Sequence, residues 1–240
     1  MKKLFLLTLL LPTLGFAQWQ DVLNKVKDEL TKVTTQSNTV DISGGLKEAL
    51  NNGITKQVTK LTAVDGFYKN ELVKIVLPEE LQKVDKMLRK LGMSKLANDG
   101  IRSLNRAAED AVKEATPIFV NAIKGMSFSD AKSILMGKES AATDFLKGST
   151  STELYTKFSP VIQKSIGKVG ADKIWATIIK KYNSIPMITK INPDITDYVT
   201  NKSMDGVFKM ISVEEKNIRT NLNSRTSETL KKVFALQDKK

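Results

Sequence analysis

Residues 99–116 read Asp99-Gly100-Ile101-Arg102-Ser103-Leu104-Asn105-Arg106-Ala107-Ala108-Glu109-Asp110-Ala111-Val112-Lys113-Glu114-Ala115-Thr116, and this stretch decides the fold class. Ile101, Leu104, Ala108, Ala111, Val112 and Ala115 recur every three or four positions, which places them on one face of an α-helix. Pro117 follows, and a proline there bends or restarts a helix. No β-type alternation competes with this reading.

Outward from that segment nearly every stretch repeats the pattern. Leu46 to Leu61 is helical and Asp65-Gly66 closes it. Leu72-Val73-Lys74-Ile75-Val76-Leu77 is the one run with an extended character. Pro78 suits the first turn of a helix over Glu79 to Leu91, which Gly92 stops. Ser127 with Asp130 has the spacing of a capping box ahead of Ile134-Leu135, and Gly137 ends that turn. Helices are further expected over Ala141 to Leu146, Ser151 to Val169, Ala171 to Tyr182, Asp194 to Asn221 and Ser227 to Leu236. Within Asp194 to Asn221 the apolar face reverses: Ile195, Tyr198 and Val199 point one way, and Met204, Phe208, Ile211, Ile218 and Leu222 nearly opposite. That reversal predicts a kink or break across Lys202 to Gly206.

The N-terminal end carries a different signal. Met1-Lys2-Lys3 is basic, Leu4 to Leu11 is apolar, Pro12 interrupts, and Gly15 and Ala17 supply small residues before Gln18. This is the three-part pattern of a secretory signal peptide over residues 1–17, cleaved near Ala17 and too short to be a membrane anchor. Residues 18–42 read as an amphipathic helix (Val22, Leu23, Val26, Leu30, Val33) and a polar linker through Thr34 to Thr39. The expectation is an all-α protein, one multi-helix domain over residues 43–240 behind those two segments. The signal directs it to the periplasm or outside the cell, with no transmembrane segment in the mature chain.

Composition removes several chemistries. The chain has neither cysteine nor histidine. Disulfides, thiolate nucleophiles, Ser-His-Asp triads and histidine-ligated zinc are therefore unavailable, and no cofactor or metal is expected. The net charge is +12, which favours anionic partners such as lipid headgroups or polyanionic glycans when the lysines are more than a solvated helix surface. Lysines outnumber arginines 33 to 5, and no dense basic block with interleaved aromatics occurs, so nucleic acid is a poor fit. The Ser-x-x-Lys spacings at Ser129/Lys132 and Ser165/Lys168 occur as often as chance gives.

Two polar clusters stand out. On the helix around Asn105, the residues Arg102, Asn105, Arg106, Glu109 and Lys113 share about a third of the circumference. Asn105 borders the apolar face, so it must find hydrogen-bond partners inside. The second cluster, Glu214, Glu215, Arg219 and Arg225, lies near the C-terminus, with Asp205 one stretch before it. In a lysine-rich chain, arginine marks places where a planar fork is used. The candidate set is Asn105, Arg106, Glu109, Asp205, Glu214, Glu215 and Arg219. It serves as inter-helix salt bridges, as a ligand-binding pocket, or as a carboxylate pair such as Glu109 with Glu215 that would hydrolyse an envelope glycan.

The motifs also come in a recognisable order. Gly45-Leu46-Lys47-Glu48-Ala49-Leu50, Asp65-Gly66-Phe67, Ile75-Val76-Leu77-Pro78 and Leu104-Asn105-Arg106-Ala107-Ala108-Glu109 come first. Asp130-Ala131, Ile134-Leu135, Ala141-Ala142-Thr143, Tyr198-Val199-Thr200, Asp205-Gly206-Val207-Phe208, Glu214-Glu215 and Ile218-Arg219 follow. From about Ser43 to Phe234 this order resembles the bacterial family known as domain of unknown function 4197, with Val76 standing where that family has proline. The resemblance implies an exported helical protein of Gram-negative bacteria and brings no activity or catalytic residue with it. The function expected from the residues is non-enzymatic binding or scaffolding in the cell envelope, through a polar groove and an anionic component or another envelope protein. A carboxylate hydrolase and peripheral attachment to anionic membrane are the alternatives.

Overall fold

Asp41 begins the described chain by capping a helix: its Oδ1 accepts from the Gly44 amide at 2.8 Å, and α1 runs Ile42–Thr62. In this computed structural model the described residues are 41–77, 92–168 and 194–238, with single positions between 82 and 90 and between 176 and 190. The signal peptide, the N-terminal helix and the linker expected before residue 41 lie outside them. So do most of the helices expected at Glu79 to Leu91 and Ala171 to Tyr182. Among the described residues the fold is all-α. Residues 41–240 form one compact unit. No described helix is long and apolar enough to cross a membrane.

After α1 come α2 (Ser94–Val112), α3 (Ala115–Gly125), α4 (Phe128–Leu135), α5 (Ala141–Gly167), α6 (Ile195–Thr220), a 3-10 turn at Leu222–Ser224 and α7 (Glu228–Phe234). The segment expected from Asp99 starts five residues earlier, at Ser94, with Met93 as its N-cap after Gly92 in a left-handed conformation (φ 77°). It stops at Val112 rather than Thr116. Pro117 accounts for the stop: its ring clashes with the carbonyl four residues back, at Lys113, so the ladder breaks there and α3 restarts at Ala115. The capping box forms as its spacing predicts, with reciprocal Ser127 and Asp130 bonds at the start of α4.

Two expectations about helix length are corrected. Ala141 to Leu146 and Ser151 to Val169 are one helix, α5, through Gly148. Its buried series Ala142, Leu146, Thr150, Leu154, Phe158, Ile162 and Ile166 steps every four residues and never loses phase across the glycine. A helix-interior glycine costs about 1 kcal/mol, while each large apolar side chain on that ridge gains about 1.5–3 kcal/mol on burial. The ridge wins.

Likewise α6 is unbroken across Lys202 to Gly206. The two opposed apolar arcs are joined by a third sector that also packs inward, made of Ser203, Gly206, Val207, Met210 and Glu214. Helix α6 packs against α1, α2 and α5 at once. A helix covered on most sides is apolar on more than one face, and no break is needed.

The core is aliphatic with a few phenylalanines, among them Leu46, Leu61, Phe67, Leu146, Leu154 and Ile162, all fully buried. Phe119 meets Phe208 edge-on with ring centroids 6.0 Å apart. Gly206 allows α6 to touch the turn after α1: a Cβ there would stand 2.7 Å from Cε1 of Phe67.

Candidate functional site

The chain between α1 and α2 has to change direction at Asp65-Gly66-Phe67 and then run extended. Asp65 takes a left-handed conformation (φ 65°), and a Cβ on Gly66 would lie 2.4 Å from the Lys60 carbonyl. The first polar cluster is what anchors this turn. Glu109 on α2 is buried, and its Oε1 accepts from the Phe67 amide at 3.1 Å. Arg106 bridges from Glu109 Oε2 to Asp65 Oδ1, both at 2.7 Å. Lys69 also bonds Asp65 at 2.9 Å. That hydrogen bond, followed by the charges of Lys69, Arg106 and Arg102, holds the Asp65 carboxyl below the usual carboxylate range.

Asn105, one turn before Glu109, is fully buried and treats the next segment as a strand would. Its Oδ1 accepts from the Ile75 amide and its Nδ2 donates to the Ile75 carbonyl, each at 2.8 Å. The second Nδ2 hydrogen goes to the Ile101 carbonyl. The run Leu72 to Leu77 is non-helical, as its composition predicts, and its burial alternates. Val73 and Ile75 are inside, while Leu72 is 58% and Val76 48% exposed. Tyr198 on α6 donates its hydroxyl to the Val76 carbonyl at 2.6 Å.

Between this segment and α6 lies a groove of about 690 Å³. One wall is Leu72 to Leu77. The other is Tyr198, Lys202, Asp205, Gly206 and Lys209, with Gln82 at the edge. At 100° per residue Tyr198, Lys202, Asp205 and Lys209 lie within about 60° of each other on α6. Among the described residues, Lys74, Lys202, Lys209 and Asp205 thus line one surface together with exposed Leu72 and Val76. Lys74 Nζ sits 4.8 Å above the Tyr68 ring and 3.8 Å from Glu71, and Lys202 Nζ lies 6.0 Å from the Tyr198 ring.

The second polar cluster joins helix ends. Glu215 Oε1 accepts from the Ala142 amide and Oε2 from the Thr143 amide, both at 2.9 Å, at the start of α5. Arg219 donates to the carbonyls of Ile134 (2.8 Å) and Leu135 (3.0 Å), at the end of α4. Glu215 and Arg219 pair with each other at 2.8 Å, both buried. A carboxylate thus meets a helix N-terminus and a guanidinium a C-terminus, each with the favourable sign of the helix dipole. Glu214 points the other way, to Lys56 and Gln57 of α1, both at 2.6 Å. Arg225 caps α6 through the Ile218 and Arg219 carbonyls and holds Asp238, whose carboxyl is lowered by that hydrogen bond first.

The structure thus gathers Asn105, Arg106 and Glu109 behind one segment and Glu215 with Arg219 at one helix junction. Glu109 and Glu215 share no partner: Glu109 is held by Arg106 and one backbone amide, Glu215 by Arg219 and two. Asp205 is exposed in the groove, away from both networks. Several groove residues were absent from the sequence candidates: Lys74, Lys202, Lys209, Tyr198 and the exposed Leu72 and Val76. A signal for the α6 strip existed, since Lys202, Asp205 and Lys209 recur at helical spacing beside Tyr198, between the two apolar arcs.

A family model described as "Protein of unknown function (DUF4197)" matches residues 35–235. No curated protein and no solved structure matches the chain.

Proposed function

The chain belongs to the DUF4197 family, and from that premise we propose that it is a binding or scaffolding protein of the bacterial cell envelope, gripping an anionic partner in the groove between Leu72–Leu77 and α6. The observation that carries this reading is the groove itself. Among the described residues that line it, three lysines and one aspartate stand beside two exposed aliphatic side chains, on a segment whose backbone is clamped by the buried Asn105. An apolar surface with few convergent charges, already formed before any ligand arrives, is the usual character of a binding site. The overall charge of +12 adds long-range attraction for an anion.

The carboxylates support binding over hydrolysis. Glu109 and Glu215 spend their oxygens on buried amides and arginines, so neither is offered to a substrate as an acid or a base. The N-terminal signal pattern supports the envelope as the place of action.

The mature chain is to be titrated with acidic peptides, anionic phospholipid vesicles and sulfated glycan fragments at low and high salt. At least one class is expected to bind, and the double variant Lys202→Glu/Lys209→Glu to bind it at least about tenfold more weakly, with a shallower salt dependence. Equal binding by the double variant, or no binding of any class, overturns the reading.

A further inference from the structure

The groove wall has a backbone edge as well as side chains. In an extended chain the N–H and C=O of one residue point to the same side and those of its neighbours to the other. Both Ile75 groups are taken by Asn105. Across each trans peptide the C=O and N–H point oppositely, so the Lys74 carbonyl and the Val76 N–H turn away from Asn105, the side on which the Val76 carbonyl accepts from the Tyr198 hydroxyl of α6. The Lys74 amide is used by the Asn70 carbonyl. Among the described residues, the Val76 N–H and the Lys74 C=O have no hydrogen-bond partner. They are the two groups that a single residue of a parallel strand, lying opposite Ile75, would engage with its own C=O and N–H.

We propose that the groove's occupant is an extended acidic peptide segment that adds as one strand along Lys74–Val76. This rests on the groove being the binding site and names the partner's chemistry. The side chains of Leu72, Lys74 and Val76 lie on one face of the segment, the flanking two exposed. The matching pattern on the partner is apolar-acidic-apolar, with a further carboxylate reaching Lys202 or Lys209. Main-chain bonds supply affinity and alternate side chains supply selectivity, the logic of strand addition. Asn105 does for the inner edge at Ile75 what a neighbouring strand would do, so the stretch that follows the Asn70–Lys74 turn is held in place although the fold contains no sheet among its described residues. A second copy of this chain does not suit the site, because two molecules of net charge +12 would bring lysines against lysines.

The test uses the mature full chain and the peptide acetyl-Val-Thr-Glu-Thr-Val-amide, whose two valines and glutamate share one face of an extended strand, with derivatives N-methylated at one residue at a time. Binding is followed by fluorescence anisotropy, and the exchange of the Val76 amide by NMR. The peptide is expected to bind and to slow Val76 exchange about tenfold or more. N-methylation is expected to weaken it about tenfold only at alternate residues, those whose N–H faces the protein. Binding that leaves Val76 exchange unchanged, or is indifferent to every N-methyl group, overturns strand addition. If vesicles or glycans bind in a Lys202/Lys209-dependent manner and the peptide does not, strand addition fails while the groove reading stands. If nothing binds, both fail.

Discussion

Asn105 shows how much one buried side chain can decide. Its amide has three hydrogen-bond partners on two segments and no contact with water. Replacement by Asp keeps an acceptor for the Ile75 amide but loses both donors and leaves two carbonyls facing a carboxylate. Asn105→Asp is expected to cost about 2–3 kcal/mol in urea unfolding, the penalty of buried groups left unsatisfied. A smaller loss than for Asn105→Ala would show that the donors are dispensable. Asn105 was legible as a half-buried polar residue from its place on the helix wheel. Its partner was not, because Ile75 is 30 positions away and nothing in either segment names the other.

At the scale of the element, the sequence overestimates punctuation. The gap between the helices expected at Ala141 to Leu146 and Ser151 to Val169, and the reversed faces of α6, read as interruptions, and both are crossed by continuous helix. A methyl group added at Gly148 would stand in open space, with nothing within 4 Å. Gly148→Ala is therefore expected to stabilise the protein by about 0.5–1 kcal/mol, seen as a raised thermal midpoint; a fall would mean that α5 needs the glycine. The junction of α4 and α5 is expected to be far less forgiving. Glu215→Ala removes the acceptor of two helix-terminal amides and leaves the buried Arg219 without its counter-charge. A loss of about 3–5 kcal/mol is expected from denaturant titration. The cluster of Glu214, Glu215 and Arg219 was visible as a charge pattern on one helix, but helical spacing alone could not say that Glu214 and Glu215 serve different neighbours.

For the whole molecule, charge and pH give the clearest test. With no histidine and no cysteine, no side chain has an ordinary pKa between about 5 and 8, and stability is expected to be flat across that range. At lower pH the sign follows from the carboxylates. Asp65, Asp130 and Asp238 have folded-state pKa values lowered from 3.8 by Lys69, Ser127 and Arg225 respectively. Each contributes stability that is present above the unfolded value and is lost as pH falls through the lower folded value. Urea unfolding of wild type and Asp238→Asn is therefore expected to differ at neutral pH and to converge as the pH drops below about 3.8. A difference that persists in strong acid would show that Asp238 acts through packing rather than charge.

By itself, the sequence determined the local facts: all-helical structure, the capping box at Ser127, the non-helical character of Leu72–Leu77 (which opens in a turn at Leu72–Val73) and the chemistries that missing cysteine and histidine exclude. These depend on residues within a turn or two of each other, where spacing and composition carry the information. Only the tertiary structure decided that α5 and α6 run whole, that buried Glu109 and Glu215 serve the framework, and that lysines from α6 face an extended segment about 120 positions away in the chain. Those outcomes depend on which surfaces meet. Burial against a distant partner outweighs a local preference of about 1 kcal/mol, and no local pattern records it.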